Sequence, residues 1–324
     1  MAIKRILSGM RPTGKLHIGH YVGALENWVA LQGEYENYHL VADYHVLTTN
    51  LDTSNMLENT IDMVKDWIAA GIDSVKSPIF RQSQIKEHAE LNLLFSMLIT
   101  KERLERNPSL KDQIRDLGLQ TTIYGHLGYP VLQAADILLY RATIVPVGED
   151  QASHIEITRE IARKFNNTYG EVFPEPKTKL TRFSRLPGLD GKAKMSKSLG
   201  NTVFLSDGPE EIWQAVRKAV TDTQKVRRND PGRPDVCTIF TYHKVFNNSE
   251  TAEIRKGCES GALGCVDCKK NCATKIADYF ASHREKRTTL SDDMIMDILL
   301  DGEARARAFA QETMAMVREA MKLG

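Results

Sequence analysis

The sequence predicts an α/β protein in which a parallel sheet flanked by helices is followed by an all-helical part. Three observations carry this prediction. Short apolar runs alternate with longer amphipathic stretches over the first 150 residues, as in parallel sheets whose strands are joined by helices. Turn-forming glycine and proline residues follow the first apolar run. From residue 209 onward the pattern is helical almost throughout.

Four apolar runs have the length of strands, and they span residues 4–8, 39–42, 78–80 and 144–147. Apolar residues with helical spacing predict one helix that begins near residues 16–18. They predict three more helices, over residues 55–70, 87–99 and 151–165. The stretch from about residue 100 to 143 is interpreted as a helical insertion. After Pro176 the chain is predicted to form loops.

A shift in composition near residues 201–208 indicates a domain boundary. Pro209 and the two glutamates after it are typical of a helix start, because the first turn leaves its amides unbonded and its positive dipole end favours acids. We therefore predict an α/β domain over residues 1–205 and a helical domain over residues 206–324.

Composition and charge narrow the class of protein. Of the 324 residues, 42% are hydrophobic and 26% charged, which is ordinary for a globular protein. No apolar run approaches the roughly 18 residues of a membrane span, and the apolar start is too short for a secretory signal. A cytoplasmic enzyme is therefore expected. The 43 basic and 42 acidic residues give a net charge of +1, which neither predicts nor excludes a nucleic-acid partner, since such binding needs only a local basic face.

The first of two loops suited to phosphate chemistry holds His17, Gly19 and His20 at a predicted helix start. Free backbone N–H groups and the positive dipole end attract an anion there. Gly19 lets a nucleotide approach the backbone, and both imidazoles can donate hydrogen bonds to phosphate oxygens. Two histidines three residues apart also occur in structural and metal-binding roles.

The second loop reads Lys-Met-Ser-Lys-Ser from Lys194 to Ser198. The ammonium groups of Lys194 and Lys197 can neutralise charge that develops on a leaving polyphosphate. Taken alone, a loop of this composition is usually a solvated surface loop. In this order along the chain, however, the two loops resemble the signature motifs of the class I aminoacyl-tRNA synthetases.

The resemblance implies a Rossmann-like nucleotide-binding domain in which His17, His20, Lys194 and Lys197 are catalytic. It implies that an amino-acid carboxylate attacks the α-phosphate of ATP, that pyrophosphate leaves with Mg²⁺, and that a terminal tRNA hydroxyl then takes the acyl group. Positioning and electrostatic stabilisation would supply the catalysis. The residues implied at the ATP site are Arg11, Thr13, Gly19, His20, Gly148, Asp150, Gln151, Lys194, Met195, Ser196 and Lys197.

Residues 129–140 and 145–151 narrow the resemblance to tryptophanyl and tyrosyl enzymes, and residues 7–14, 42–45 and 154–160 are similar to the bacterial tryptophanyl branch. This implies that Asp136 accepts the indole N–H. Sites that hydrogen-bond a substrate group reject analogues lacking it by roughly 10⁴-fold or more. The implied tryptophan-binding residues are Leu7, His45, Tyr129, Gln133, Asp136, Val145 and Val147. Tyrosine stays an alternative, because Gln133 with Asp136 also resembles the pair that tyrosyl enzymes place on the phenol hydroxyl.

All five cysteines lie between Cys237 and Cys272. In a cytoplasmic protein such clustering favours metal over disulfides, and four thiolates suit either zinc or an iron–sulfur cluster. Spacing alone favours zinc. The segment nevertheless resembles a subset of bacterial tryptophanyl enzymes that carry a [4Fe–4S] cluster in the helical domain. This implies Cys237, Cys258, Cys265 and Cys268 as ligands, with Cys272 as the spare or the substitute.

The resemblance also implies a homodimer with the insertion at its interface and a helical domain that recognises the tRNA anticodon. Basic clusters suited to tRNA lie at residues 225–228, 269–270 and 284–287. Two further alternatives are a small-molecule nucleotidyltransferase and a synthetase-like tRNA-binding paralogue. The second loop and the helical part argue against the first, and two intact loops argue against the second.

Overall fold

The structure is a computed structural model that describes residues 4–116, 118, 121–148, 152–180, 186–192 and 195–323. Its strands form one sheet in the order β3-β2-β1-β4-β5, and each neighbouring pair runs parallel. The strands are β1 (Arg5–Met10), β2 (Glu36–Val41), β3 (Ile79–Arg81), β4 (Ile144–Val147) and β5 (Lys177–Leu180). The predicted α/β fold class is confirmed.

Helices connect the strands and make up most of the chain after residue 208. The prediction of helix almost throughout this part is wrong for residues 217–233, which form turns and loops. The first helix is short and continues through a π-helical turn, Tyr21–Leu25, into the second. The α-helices of the described residues are α1 (Ile18–His20), α2 (Glu26–Leu31), α3 (Asp43–Val46), α4 (Met56–Ala70), α5 (Glu87–Ser96), α6 (Lys101–Glu105), α7 (Pro108–Asp116), α8 (Tyr124–Leu139), α9 (Ala152–Tyr169), α10 (Pro209–Val216), α11 (Thr238–Phe246), α12 (Thr251–Glu259), α13 (Cys265–Tyr279), α14 (Ala281–Thr288) and α15 (Asp292–Met321).

The prediction of loops after Pro176 is wrong for Lys177–Leu180, which pairs with β4 as the edge strand β5. This strand has one apolar residue in four and two lysines. Lysines are typical of edge strands, because they discourage pairing with another chain. A strand of this composition has no apolar run by which it could be predicted from the sequence.

Two hydrophobic clusters cover opposite faces of the sheet. Neighbouring residues alternate between them, so Leu40 and Phe80 face one cluster while Val41 and Ile79 face the other, as a pleated strand requires. Helices α4, α10, α11 and α13 all contribute to the cluster that contains Val41 and Ile79. The helices after residue 208 therefore share a core with the sheet, and the division at residue 205 stays a prediction.

Helix α15 crosses the edge strand β3 and spans both clusters. Gly302 lies against this strand, where a Cβ would come within 2.0 Å of the Ile79 carbonyl oxygen, so a larger residue does not fit. The buried Glu303 accepts hydrogen bonds from Arg81 Nε and Arg81 Nη2 at 2.6 and 3.2 Å. These contacts fix the last helix on the sheet. Within the part of the chain that the structure describes, no helix is long and apolar enough to cross a membrane.

Candidate active site

A cavity of about 350 Å³ lies at the carboxyl ends of β1, β2 and β4. The chain adds strands to one side of β1 and then, from β4, to the other side. Ligands of open parallel sheets bind at such a switch point, outside the carboxyl ends of the strands. The predicted site residues that line this cavity are Leu7, His45, Tyr129, Gln133, Asp136, Val145 and Val147 for tryptophan, and Arg11 and Gly148 for ATP.

Asp136 is the buried acid of this cavity, and its carboxylate accepts hydrogen bonds on both oxygens. His45 Nε2 lies 2.9 Å from Oδ2, while His88 Nδ1 and Gln82 Nε2 each lie 2.7 Å from Oδ1. Burial raises the pKa of Asp136, but the hydrogen bonds from His45 and His88 outweigh it and lower the pKa to about 2. An ionised carboxylate only accepts, so both histidines present N–H groups to it.

Buried side chains that the sequence analysis did not predict hold the cavity residues in place. His88 Nε2 lies 2.9 Å from the Tyr140 hydroxyl, so Tyr140 supports Asp136 through His88. The hydroxyl of Tyr129 lies 2.6 Å from His154 Nε2 and accepts a hydrogen bond from Gln113 at 3.0 Å. These contacts limit the orientations that the polar groups of the cavity can adopt.

The position of Gln82 in the sequence could have indicated that it lies at the site. Gln82 comes directly after β3, and polar residues that follow parallel strands meet at the ligand-binding edge of a sheet. His88 carried no such indication, because it is a single histidine on the buried face of α5. A lone buried histidine on a helix does not by itself indicate a function.

The first loop forms the start of the helix beside the cavity. The rings of His17 and His20 stack with centroids 3.6 Å apart, and the His17 N–H donates to His20 Nδ1 at 3.3 Å. Gly23 and Ala24, in the π-helical turn that follows, line the cavity. The loop therefore adjoins the predicted tryptophan site.

The second loop closes on the first. A Cβ on Gly19 would lie 3.2 Å from Met195 Sδ and 3.0 Å from His17 Nδ1, so glycine allows the close approach of the two loops. Lys197 Nζ donates to the Thr13 carbonyl oxygen at 2.5 Å. Gly19, Thr13, Met195 and Lys197, all predicted at the ATP site, are thus brought together.

Of the remaining predicted ATP residues, Ser196 and Arg11 are described by the structure and three others are not. The Ser196 N–H donates to Asn201 Oδ1 at 2.8 Å, so Asn201 fixes this part of the second loop. Arg11 donates to Thr49 at 3.3 Å, and burial lowers the pKa of Arg11. Some predicted residues lie outside the described part of the chain, namely Asp150, Gln151 and Lys194.

Four of the five thiols of the cysteine segment lie near enough to affect one another's charge. Burial raises the pKa of Cys268 to about 12, and the nearby Cys237, Cys258 and Cys265 add to the effect. Cys272 is buried in the hydrophobic core. All five thiols are free. Among the described residues, which include every cysteine, no group of three or more His, Cys, Asp or Glu side chains could hold a metal ion.

Comparison with known proteins decides the family. The profile described as "tRNA synthetases class I (W and Y)" matches residues 3–281. The tryptophan–tRNA ligase of Thermotoga maritima is 50% identical over 98% of this chain and 99% of its own, and that of Aquifex aeolicus is 41% identical over 98% and 100%. The chain belongs to the class I tryptophanyl-tRNA synthetases. The predicted family and enzyme class, a tryptophan–tRNA ligase, are confirmed.

Solved structures agree with this assignment. A tryptophanyl-tRNA synthetase from Campylobacter jejuni, complexed with ADP and tryptophan, matches with a TM-score of 0.87 and 35% identity over 98% of this chain and 100% of its own. A tyrosyl-tRNA synthetase from Archaeoglobus fulgidus matches with a TM-score of 0.68 and 21% identity over 89% and 91%. At that identity the tyrosyl enzyme shares the fold with this synthetase, so it lends the tyrosine alternative no further support.

Proposed function

We propose that this tryptophan–tRNA ligase binds L-tryptophan in the cavity around Asp136 and ATP at the two loops beside it. The amino-acid carboxylate attacks the α-phosphorus, the bond to the bridging oxygen breaks, and pyrophosphate leaves. The terminal ribose hydroxyl of tRNA(Trp) then attacks the acyl carbon and releases AMP. The Mg²⁺ that accompanies ATP is expected on the phosphate oxygens. The observation that carries the proposal is the buried Asp136 carboxyl group in the cavity, held by His45, His88 and Gln82.

The hydrogen bonds of Asp136 suit an indole. A carboxylate offers about four lone-pair positions. Oδ1 uses two of them for His88 and Gln82, and Oδ2 uses one for His45. Among the described contacts, one position on Oδ2 remains, and Asp136 and His45 both line the cavity. An indole N–H only donates, so it matches the position that remains.

The loops suit the charge of the reaction. Lys197 places an ammonium group next to the backbone that leads to His17 and His20, and we propose that Lys194 adds a second. Positioned cations stabilise charge that develops on a leaving polyphosphate. His17 and His20 would donate to phosphate oxygens, with no proton transfer needed.

Pyrophosphate exchange and tRNA charging test the proposal. The purified chain is expected to exchange labelled pyrophosphate into ATP with tryptophan and not with tyrosine. With total tRNA it is expected to form acid-precipitable tryptophanyl-tRNA. Exchange with tyrosine alone would assign the cavity to the phenol side chain. Normal folding with neither reaction would indicate a tRNA-binding paralogue.

We propose that Cys237, Cys258, Cys265 and Cys268 hold a [4Fe–4S] cluster, with zinc as the alternative. The mutual effect of these thiols on the pKa of Cys268 indicates that they share one region. Four thiolates suit either zinc or a four-iron cluster, and the resemblance of this segment to the cluster-bearing tryptophanyl enzymes favours the cluster. Free thiols persist in the reducing cytoplasm, where we propose the enzyme works.

Anaerobic purification tests the metal. The protein is expected to be brown and to absorb in the violet, with iron and sulfide at a ratio near one. Cys268→Ser should lose the colour, while Cys272→Ser, which changes a core thiol, should keep it. A colourless protein with stoichiometric zinc would assign the thiols to zinc. Loss of colour in Cys272→Ser but not in Cys268→Ser would make Cys272 a ligand in place of Cys268.

The macromolecular partners are proposed from exposed surfaces. Tyr124, 79% exposed, lines a groove of about 400 Å³ between α5 and α8, and Met97, 72% exposed, directly follows the lining residue Ser96. Exposed apolar patches mark protein contacts. We propose that this insertion region pairs two copies of the chain, which sedimentation at twice the monomer mass would support. We further propose that residues 206–324 bind the tRNA anticodon through the exposed basic residues beside the cysteines, Arg227, Arg228 and Lys270. Lys225 is buried and Arg287 is paired with Asp62 and Asp66, so neither is assigned to tRNA.

A further inference from the structure

A buried ion pair joins α4 to α14 behind the first loop. Asp66 on α4 is fully buried, and its Oδ1 accepts a hydrogen bond from Arg287 Nε on α14 at 2.8 Å. The Nη2 of the same guanidinium donates to Asp62 Oδ1 at 2.6 Å. His283 Nε2 lies 3.7 Å from Asp66 Oδ1. One arginine therefore bridges two carboxylates that lie one helical turn apart.

The other oxygen of Asp66 reaches the first loop. Oδ2 accepts the backbone N–H of Leu16 at 2.8 Å, and Leu16 directly precedes His17. On its other side, Leu16 accepts a hydrogen bond from Leu205 N–H at 2.9 Å, and the Ile18 N–H donates to the Val203 carbonyl at 2.9 Å. The backbone before the histidines is thus held between Asp66 and the segment that follows the second loop.

The same carboxylates act on the lysine of the second loop. Burial lowers the pKa of Lys197, and the negative charges of Asp66 and Asp62 oppose this effect. Gly14 marks where the parts meet, because a Cβ there would lie 2.8 Å from Asn59 Oδ1 on α4 and 3.7 Å from Lys197 Nζ. Helix α4, the first loop and the second loop therefore converge beside the ion pair.

We propose that Asp66 and Arg287 are positioning residues for ATP: the pair fixes the backbone from which His17 and His20 project. The inference rests on the proposed ATP role of the two loops. If the pair served only to stabilise the packing of α4 against α14, its replacement would change the stability of the protein without a selective effect on the KM of ATP. Buried ion pairs are often replaceable by uncharged groups at little cost, and a structural pair has no reason to act on one substrate selectively.

Pyrophosphate exchange, titrated separately with ATP and tryptophan, distinguishes these roles. Asp66→Asn is expected to raise the KM of ATP about tenfold, since small misplacements of a site are costly, and to leave the KM of tryptophan within about twofold. The double variant Asp66→Asn with Arg287→Gln removes both charges of the fully buried pair and leaves only the partly exposed Asp62 without its arginine, so it is expected to fold with the same ATP defect. Arg287→Lys, with Asp66 intact, retains a cation and should therefore raise the KM of ATP less than the double variant does.

Glu303→Gln is the matched control, because it removes a carboxylate of similar burial from the Arg81 pair, whose described hydrogen bonds join neither loop. It is expected to lower the melting temperature without raising the KM of ATP. A folded double variant with wild-type KM for ATP would overturn the inference, as would equal increases for ATP and tryptophan. Lys197→Ala in the same assay tests the loops themselves. Loss of exchange there, with normal Asp66 variants, would refute this inference alone.

Discussion

Asp136→Asn is expected to lower kcat/KM for tryptophan in pyrophosphate exchange by roughly 10⁴-fold, with the KM of ATP unchanged. The amide has one acceptor and one donor group in place of two acceptors. If its nitrogen takes the place of Oδ1, it faces the donors His88 and Gln82. If it takes the place of Oδ2, it faces His45 and the proposed indole N–H. Either orientation opposes donors in a buried site, which costs more than a lost hydrogen bond.

Asp222→Asn is the control for this substitution. Asp222 is also a buried acid with backbone and arginine donors, but it does not line the cavity. Its variant is expected to lose stability and to keep its selectivity for tryptophan. Thermal melts of both variants separate folding from recognition. If Asp136→Asn folds and retains kcat/KM for tryptophan within tenfold of the wild type, Asp136 does not recognise the indole.

The sheet and the lining of the cavity could be predicted because each depends on local pattern. Strand β4 lies where its apolar run predicts, and α4 begins within one residue of its predicted start. The resemblance placed a set of lining residues that the structure brings to one cavity. Their motifs are short and continuous in the sequence, so they can be identified before the fold is known.

The supports of the site could not be predicted, because they join residues far apart in the chain. His88 meets Asp136 across 48 positions, and Arg287 meets Asp66 across 221. Nothing in the local sequence of either partner indicates the other. Such pairs depend on how helices pack, which periodicity alone does not determine. Strand β5 could not be predicted for a different reason. It lies at the edge of the sheet, and an edge strand can form without the apolar run by which strands are identified in a sequence.

Lys197→Ala is expected to slow adenylate formation by roughly 10²- to 10³-fold, the usual cost of removing one positioned electrostatic group. Tryptophan affinity should stay within about twofold, because Lys197 does not line the tryptophan cavity. The substitution removes an ammonium group that donates to the Thr13 carbonyl oxygen and that the proposed mechanism places near the leaving pyrophosphate. Rapid-quench measurement of adenylate gives the rate, and equilibrium dialysis gives the affinity.

Lys192→Ala supplies the matched control, since Lys192 is an exposed lysine shortly before the second loop and has no proposed role. It should leave both quantities unchanged. Lys197→Arg keeps the positive charge but changes its shape and reach, so it is expected to recover part of the rate. Comparable losses of rate and of tryptophan affinity in Lys197→Ala would mean that the loop acts mainly in folding or in substrate binding. A loss of rate that persists at saturating ATP, with unchanged tryptophan affinity, would assign Lys197 to the activation step, because only an interaction that strengthens in the transition state slows the saturated reaction when it is lost.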